Sequence, residues 1–341
     1  MPIVEYDGLI ADIDKTIQEL AVSVVPKWWG TIEYCLLFPK MFRAERLYMR
    51  TGPNMQGAFA YCYNERNWLL GMKMLELLGP LQSPVSDIRS LLIQRKAQVA
   101  VIHYVRTNDL CNYAVDGFQT ILHRQGADLV LNLPNTFAEY LEQLGESTRE
   151  NLKKYFRRLH RELKAVALQT YMGEQIEPCL ISQILDFNRQ RLETKGKVVR
   201  RTSTTIDLAT DIARRKGLLV ALFNGDELLA GTLSYIHKGE AYFVFIGHNQ
   251  RYDYLNLGKV ALAFAIEELI KRRISRAYLH YGHNPYKLYL GAQEEPVFQL
   301  IVCRDRVWRF IWNVETSMQK WARGAKKLAG GVRRRLRQFG G

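Results

Sequence analysis

Hydrophobic and polar positions follow two different periods along this chain, and the changes of period mark out its elements. The clearest run is Gly217 to Cys303. Leu218–Phe223 and Leu228–Ile236 read as strands joined by Asn224-Gly225, two residues that tolerate positive φ and favour a tight hairpin. Lys238-Gly239 makes a second turn, and Ala241–Ile246 (AYFVFI) is apolar at every position. A strand with no polar alternation is covered on both faces, so this one belongs at the centre of a sheet. A polar loop, Gly247–Asn256, leads into an amphipathic helix over Leu257–Lys271. Ala277–Tyr281 is a strand, Asn284 caps a short helix ending near Gly291, and Val297–Val302 is a last strand. Three antiparallel strands, a helical crossover and a further strand predict a mixed sheet with helices packed on it.

Upstream the period becomes helical. Thr136 with Glu139 reads as a capping box for a helix with Phe137, Tyr140, Leu141 and Leu144 on one face, ended by Gly145. Ser147 with Glu150 reads as a second box, opening a helix with the apolar stripe Leu152, Tyr155, Phe156, Leu159 and Leu163. Its other face carries Arg149, Lys153, Lys154, Arg157, Arg158, Arg161 and Lys164, which is either a solvated face or an arm that meets a polyanion. Glu177–Arg191 and Ile206–Lys216 are further helices, with a polar loop between them over Glu193–Thr205. The first 130 or so residues are mixed α/β. Ile32–Phe38, Glu45–Tyr48, Gly57–Tyr63, Val99–Val105 and Asp128–Leu133 read as strands, Asp87–Lys96 as a short helix, and Trp68–Leu78 as an apolar run closed by Gly79-Pro80. Exact matching shows no internal repeat.

Length and composition fit two domains of a soluble globular protein: 341 residues, 48% hydrophobic and 24% charged. The longest apolar candidate for a membrane span, Val22–Phe38, is interrupted by Pro26, Lys27 and Glu33. The acidic start (Glu5, Asp7, Asp12, Asp14) does not read as a secretory signal. Five dispersed cysteines, Cys35, Cys62, Cys111, Cys179 and Cys303, have neither metal nor redox spacing and read as reduced core residues of a cytoplasmic protein. No metal is expected. Zinc-protease, P-loop, nucleophile-elbow and dinucleotide motifs are absent. Of the net charge of +14, +8 lies after Glu315, where eight bases meet no acid. Trp308, Ile311, Trp312, Trp321, Ala325 and Leu328 recur there near helical spacing, the pattern of a helix on an anionic membrane surface. The alternatives are a helix packed on the domain with a loose basic end, or nucleic acid as the partner.

Three stretches carry a family resemblance. Ser147-Thr148-Arg149-Glu150-Asn151-Leu152-Lys153-Lys154, Leu229-Ala230-Gly231-Thr232-Leu233 after the Asn224-Gly225-Asp226 turn, and Gly282-His283-Asn284-Pro285-Tyr286-Lys287 resemble segments of the GNAT superfamily of N-acyltransferases. The likeness is to its two-domain branch, which holds polysaccharide-synthesis-associated acetyltransferases and Fem-type aminoacyl transferases. It implies an α/β (α+β) fold of two tandem GNAT-like domains: a degenerate one over 1–135, a catalytic one over 136–303 with a basic arm at 147–165, and a basic tail over 304–341. It implies acyl-CoA as co-substrate and an amine of a cell-envelope or polysaccharide precursor as acceptor, with an aminoacyl-tRNA-dependent transferase or a non-catalytic membrane- or nucleic-acid-binding module as alternatives. The glycine-rich pyrophosphate loop of the superfamily is reduced here to a single glycine, Gly258.

Acyl transfer to an amine needs a base for the ammonium, donors for the oxyanion and an acid for the leaving thiolate. The candidates are His248 or His283 as base, and Tyr286 or Tyr289 as acid. Backbone N–H groups near Ile246 and Gly247 would serve the oxyanion. Leu257, Gly258 and Lys259 form a helix N-terminus suited to phosphate, and Lys287 would hold phosphate or substrate.

Overall fold

The structure is a computed structural model, and it describes residues 4–9, 37, 46–51, 59–67, 71–78, 85–106, 117–194, 196, 203–279, 285–318 and 321. The chain divides into two compact units. The first takes the described residues of Met1–Val25, Phe42–Arg124 and Phe298–Gly341; the second takes those of Pro26–Met41 and Gln125–Val297. Both are α/β, as the sequence leads one to expect, and the first contains strands from both ends of the chain.

In the first unit β1 (Val4–Leu9), β2 (Arg46–Thr51), β3 (Phe59–Asn67) and β4 (Lys73–Leu78) run antiparallel in succession. Helix α1 (Val85–Gln94) then crosses to β5 (Val99–Arg106), which pairs parallel to β4. Alternating residues of β4 and β5 feed two cores. Leu75, Leu77, Ala100 and Ile102 face Ile88, Leu91 and Leu92 of α1. Met72, Met74, Val99 and Val101 pack with Ile301, Cys303 and Trp312 from the C-terminal part of the chain. The apolar run at Trp68–Leu78 thus supplies the strand β4. Of the expected strand Ile32–Phe38 only Leu37 is described, and it is helical and buried.

The second unit has the strand order β6-β11-β10-β9-β8-β7. Its strands are β6 (Gln119–Asn132, of which Gln125 onward belongs here), β7 (Val166–Tyr171), β8 (Gly217–Asn224), β9 (Glu227–His237), β10 (Glu240–His248) and β11 (Arg276–Tyr278). The last strand, β12 (Gln293–Cys303), enters the first unit at Phe298. The hairpins turn at Gly225-Asp226, one residue later than expected because Asn224 still pairs with Glu227, and at Lys238-Gly239; Gly225, Lys238 and Gly239 adopt positive φ.

One face of this sheet is covered by α2 (Phe137–Gln143), α3 (Glu146–Glu162), α6 (Leu257–Lys271) and α7 (Pro285–Tyr289). There Leu152 of α3 and Leu262 and Ile266 of α6 pack on Val220, Phe243, Ala277 and Leu131. On the other face lie α4 (Pro178–Thr194) and α5 (Ser203–Lys216); the buried Tyr235 hydroxyl donates to the Ala209 carbonyl of α5 at 3.0 Å. Thr136 caps α2 by accepting from the Glu139 N–H at 3.2 Å, and Glu139 accepts in return from the Asn135 N–H. The second expected box does not form: α3 starts at Glu146 on a Gly145 cap without a side-chain bond, so Ser147 already lies inside the helix.

β10 and β11 pair, parallel, only over Glu240–Tyr242 and Arg276–Tyr278. Beyond that β10 is irregular at Phe243/Phe245 and continues to His248 on β9 alone. The Asn249 N–H bonds the Leu229 carbonyl at 2.8 Å. Antiparallel bonding alternates, so Ile246 and His248 turn their N–H and C=O groups away from β9, toward the side where β11 has ended. On that side the Asn188 amide of α4 donates to the Ile246 carbonyl at 2.7 Å. Helix α4 comes very close at this point. A Cβ on Gly247 would lie 2.2 Å from the Ile184 carbonyl oxygen, and one on Gly231, its partner on β9, would lie 2.4 Å from the Ile184 side chain.

Gly247→Ala therefore forces α4 off the strand and should destabilise the protein by about 3 kcal/mol. A denaturant midpoint unchanged from the parent would show that α4 does not need this contact.

Candidate functional site

The end of β10 runs into a 3-10 turn, Gln250–Leu255, and then α6. In place of a glycine-rich loop this segment is held by side chains. Glu227, at the start of β9, accepts from the Asn249 amide at 3.1 Å and from the Tyr252 hydroxyl at 2.9 Å. His248 Nε2 pairs with Asp253 Oδ1 at 2.9 Å. Its Nδ1 rests against Gly258, where a Cβ would lie 3.0 Å away. Asn256 stands in the left-handed region (φ 56°) and does not cap α6 with its side chain. Its amide oxygen accepts from Lys259 Nζ at 3.1 Å instead, and its carbonyl takes the N–H groups of Lys259 and Val260. The N–H groups of Leu257 and Gly258 thus precede the first intrahelical bonds, at a helix start with no acidic residue in its first turn.

An open cleft of about 330 Å³ lies beside this turn. Helix α3 lines it with Thr148, Asn151, Leu152 and Tyr155, α6 with Lys259, and α7 and its end with Tyr286, Tyr289 and Leu290. The α3 residues follow helical spacing, so one edge of the helix makes a wall. Lys259 Nζ is 3.4 Å from the Tyr155 hydroxyl and 5.1 Å from its ring centroid. Among the described lining residues Lys259 carries the only charge. Farther out Arg158 stacks over the exposed Tyr254 ring at 5.1 Å. The position of α7 is set from below: the buried Tyr140 hydroxyl of α2 donates to the Leu290 carbonyl at 2.8 Å.

Of the residues singled out from the sequence, Lys259, Tyr286 and Tyr289 meet in this cleft. Leu257 is fully buried in the core, so what it offers is its backbone N–H. Gly258 adjoins His248, at the turn from which Lys259 reaches the cleft. Ile246 and Gly247 lie on the unpaired stretch of β10. His248 is engaged by Asp253 and is not a lining residue. His283 lies outside the described residues, as does the Asn284 cap. Lys287 is buried away from the cleft, and its ammonium donates to the Leu279 carbonyl beyond the end of β11. Burial pushes its pKa down to about 8, an effect the Arg191 charge reinforces and Asp128 opposes. Burial also raises the Tyr286 phenol, against the influence of Arg191. Thr148, Asn151 and Tyr155 were not among the candidates; their signal was a polar and aromatic edge on an otherwise apolar stripe. Among the described residues no cluster suits a metal ion. Cys303 is buried as expected, whereas Cys179 is exposed and bonds Glu177.

Residues 146–288 match the family model described as the acetyltransferase (GNAT) domain, and the match supports an acyltransferase. Among solved structures, FemX has a TM-score of 0.64 at 9% identity, over 91% of this chain and 100% of that one. A conserved protein of unknown function from Bacteroides thetaiotaomicron has a TM-score of 0.57 at 12% identity, over 89% and 99%. L-PGS from Bacillus licheniformis has 0.53 at 10% identity, over 76% and 85%. At these identities the likeness is one of fold. No curated protein matches the sequence.

The buried lysine has a consequence for stability. Below about pH 8 Lys287 is protonated in both the folded and the unfolded chain, and the fold bears the full cost of burying that charge. Between about 8 and the ordinary 10.5 the unfolded chain holds more protons, so this contribution makes stability rise with pH. The rise should reach about 3 kcal/mol at most and vanish in Lys287→Met. Denaturation midpoints of both proteins across that window read it, and identical slopes would place the lysine in water.

Proposed function

We propose that the protein is an N-acyltransferase that moves an acyl group from acyl-CoA to an amine of a cell-envelope or polysaccharide precursor. The observation that carries this reading is the cleft at the start of α6, where Lys259 and the tyrosines of α7 converge. A helix start without acids, with a lysine in its first turn, suits a donor's phosphates. The N–H groups of Ile246 and His248 on the unpaired edge of β10 suit the carbonyl oxygen of a thioester lying in the gap.

In the proposed reaction the amine nitrogen attacks the thioester carbon. The N–C bond forms, the C–S bond breaks, and negative charge on the oxygen is held by the β10 N–H groups. The ammonium proton passes through water to His248, which Asp253 orients outside the cleft lining, and Tyr286 gives its own proton to the leaving thiolate. Tyr289 and Lys259 hold the donor. Lys287, through the Leu279 carbonyl, keeps α7 against the end of β11.

A second reading is an aminoacyl-tRNA donor. It is favoured by α3, whose inner edge lines the cleft while its outer face presents half-buried Arg149 and exposed Lys153, Lys154, Arg157 and Arg161. FemX shares the fold, which supports no choice between donors.

Thermal shift with acetyl-CoA, a long-chain acyl-CoA and deacylated tRNA separates the readings. Stabilisation by a CoA ester is expected, and stabilisation by none of the three would favour a non-catalytic binding module. With the donor in hand, Tyr286→Phe should lower kcat about a hundredfold with little change in donor KM, and Lys259→Ala should raise donor KM about tenfold. Full turnover by Tyr286→Phe would remove it as the acid.

A further inference from the structure

Helix α8 (306–318) has two apolar faces. One closes the core of the first unit. Trp312 is buried there, and Trp308 and Ile311 pack against the cluster of Met72, Met74, Val101 and Ile301. The sequence pattern had suggested these three residues for a lipid surface, but they face inward. A different set faces out: Val307, Phe310, Val314 and Met318 are 64, 68, 39 and 62% exposed, and Trp321, also helical, is 78% exposed. Val307, Phe310, Val314 and Met318 are spaced three, four and four residues apart, which draws a single stripe along one side of the helix, and Trp321 follows three residues after Met318 in the sequence. Four large side chains in one exposed line are more than the scattered apolar residues of an ordinary surface.

Charge decides what covers this stripe. Arg306 and Arg309 are exposed on the same helix, and after Glu315 the sequence carries eight bases and no acid. A second copy of the chain would bring two such +8 segments together, and like charges oppose that contact. A nucleic acid would meet the bases but leave Phe310 and Trp321 in water. An anionic bilayer takes both: the stripe enters the boundary between headgroups and acyl chains, and the bases sit among the anionic headgroups. Among the described residues no helix is long and apolar enough to cross a membrane, so the contact is one of lying on the surface.

We infer that the outer face of α8, with Phe310 and Trp321 as its anchors, seats this protein on an anionic lipid surface. The inference is independent of the acyl donor, because α8 contributes nothing to the cleft.

Cosedimentation of the full chain tests it with vesicles of phosphatidylcholine, alone or with about one-third phosphatidylglycerol. Binding to the anionic vesicles should exceed binding to the neutral ones at least about tenfold, and should fall at least about tenfold in Phe310→Asp/Trp321→Asp. Both side chains are exposed, so the melting temperature should be unchanged. Arg306→Glu is a second variant that leaves the stripe intact and should weaken only the anionic preference. Undiminished vesicle binding by the double variant overturns the inference. So does a dimer in solution that the double variant dissociates, which would assign the stripe to a second copy. Binding to RNA without binding to either vesicle overturns it as well, in favour of a nucleic-acid tail.

Discussion

The second unit is organised by the early parting of β10 from β11. Two parallel strands that stay paired satisfy each other's backbone along their length; these two do so for three residues and then separate. Every backbone group buried beyond that point needs another partner. Helix α4 supplies one partner, the Asn188 amide on the Ile246 carbonyl. It can come that close because Gly231 and Gly247, paired across β9 and β10, leave room for Ile184. The gap, the two glycines and the buried asparagine are thus one feature seen from the strand, the sheet face and the helix. Lys287 meets the same need at the other strand, where its ammonium takes up the Leu279 carbonyl. That it does so as a buried charge with a lowered pKa shows that the bond is made against a desolvation cost.

A phosphate-binding turn is ordinarily made of glycines, because they let the backbone approach the ligand closely. Here the turn before α6 is held from outside by Glu227 and from within by the His248–Asp253 pair. Only Gly258 is small, and the group nearest to it is the His248 ring. The histidine, the lone glycine and the acid are therefore coupled. A side chain at Gly258 would push on His248, and movement of His248 would loosen Asp253 and the 3-10 turn that leads into the helix.

Much of this was legible in the chain, for reasons that can be stated residue by residue. The all-apolar AYFVFI segment marks a strand covered on both faces, and Asn224-Gly225 and Lys238-Gly239 mark its hairpins, because those signals are local. The α6 boundaries follow from an amphipathic pattern of ordinary length. What escaped was long-range. Val166–Tyr171 is an edge strand with Gln169 and Thr170 in it, and only pairing with β8 makes it one. Ser147 matches a capping pattern, but the chain enters α3 two residues earlier, on Gly145. Tyr155 and Asn151 read as part of a stripe and as a polar neighbour; their place on a cleft wall depends on where α6 and α7 arrive. The two units also share an order of elements that exact matching misses. Antiparallel strands lead to β4, α1 and a parallel β5 in one, and to β10, α6 and a parallel β11 in the other. Topology survives the loss of sequence identity because it rests on burial pattern and chain direction, which many residues satisfy.

The charge on α3 bears on the donor in a way that the cleft alone does not. From Arg149 to Arg161 the bases extend over about 18 Å of helix, at 1.5 Å per residue. A pyrophosphate at the start of α6 would engage Lys259 and the nearest of them, and leave the rest to water or to the intrahelical pairs that Lys153 makes with Glu150 and Arg158 and Arg161 with Glu162. Those pairs are exposed and contribute little to stability. The acids on this face are too few to neutralise it, and a helix gains nothing in folding from unbalanced like charge along one side. The excess is best explained by an anion longer than a pyrophosphate, or by a surface potential that draws a charged donor toward the cleft from a distance. The two explanations differ in how they respond to salt. Steering acts on the association rate and fades as the Debye length shortens, whereas contacts with a long polyanion lower affinity in proportion to the number of phosphates held. If the protein is the proposed transferase, the outer face of α3 is where a CoA ester and an aminoacyl-tRNA would be told apart.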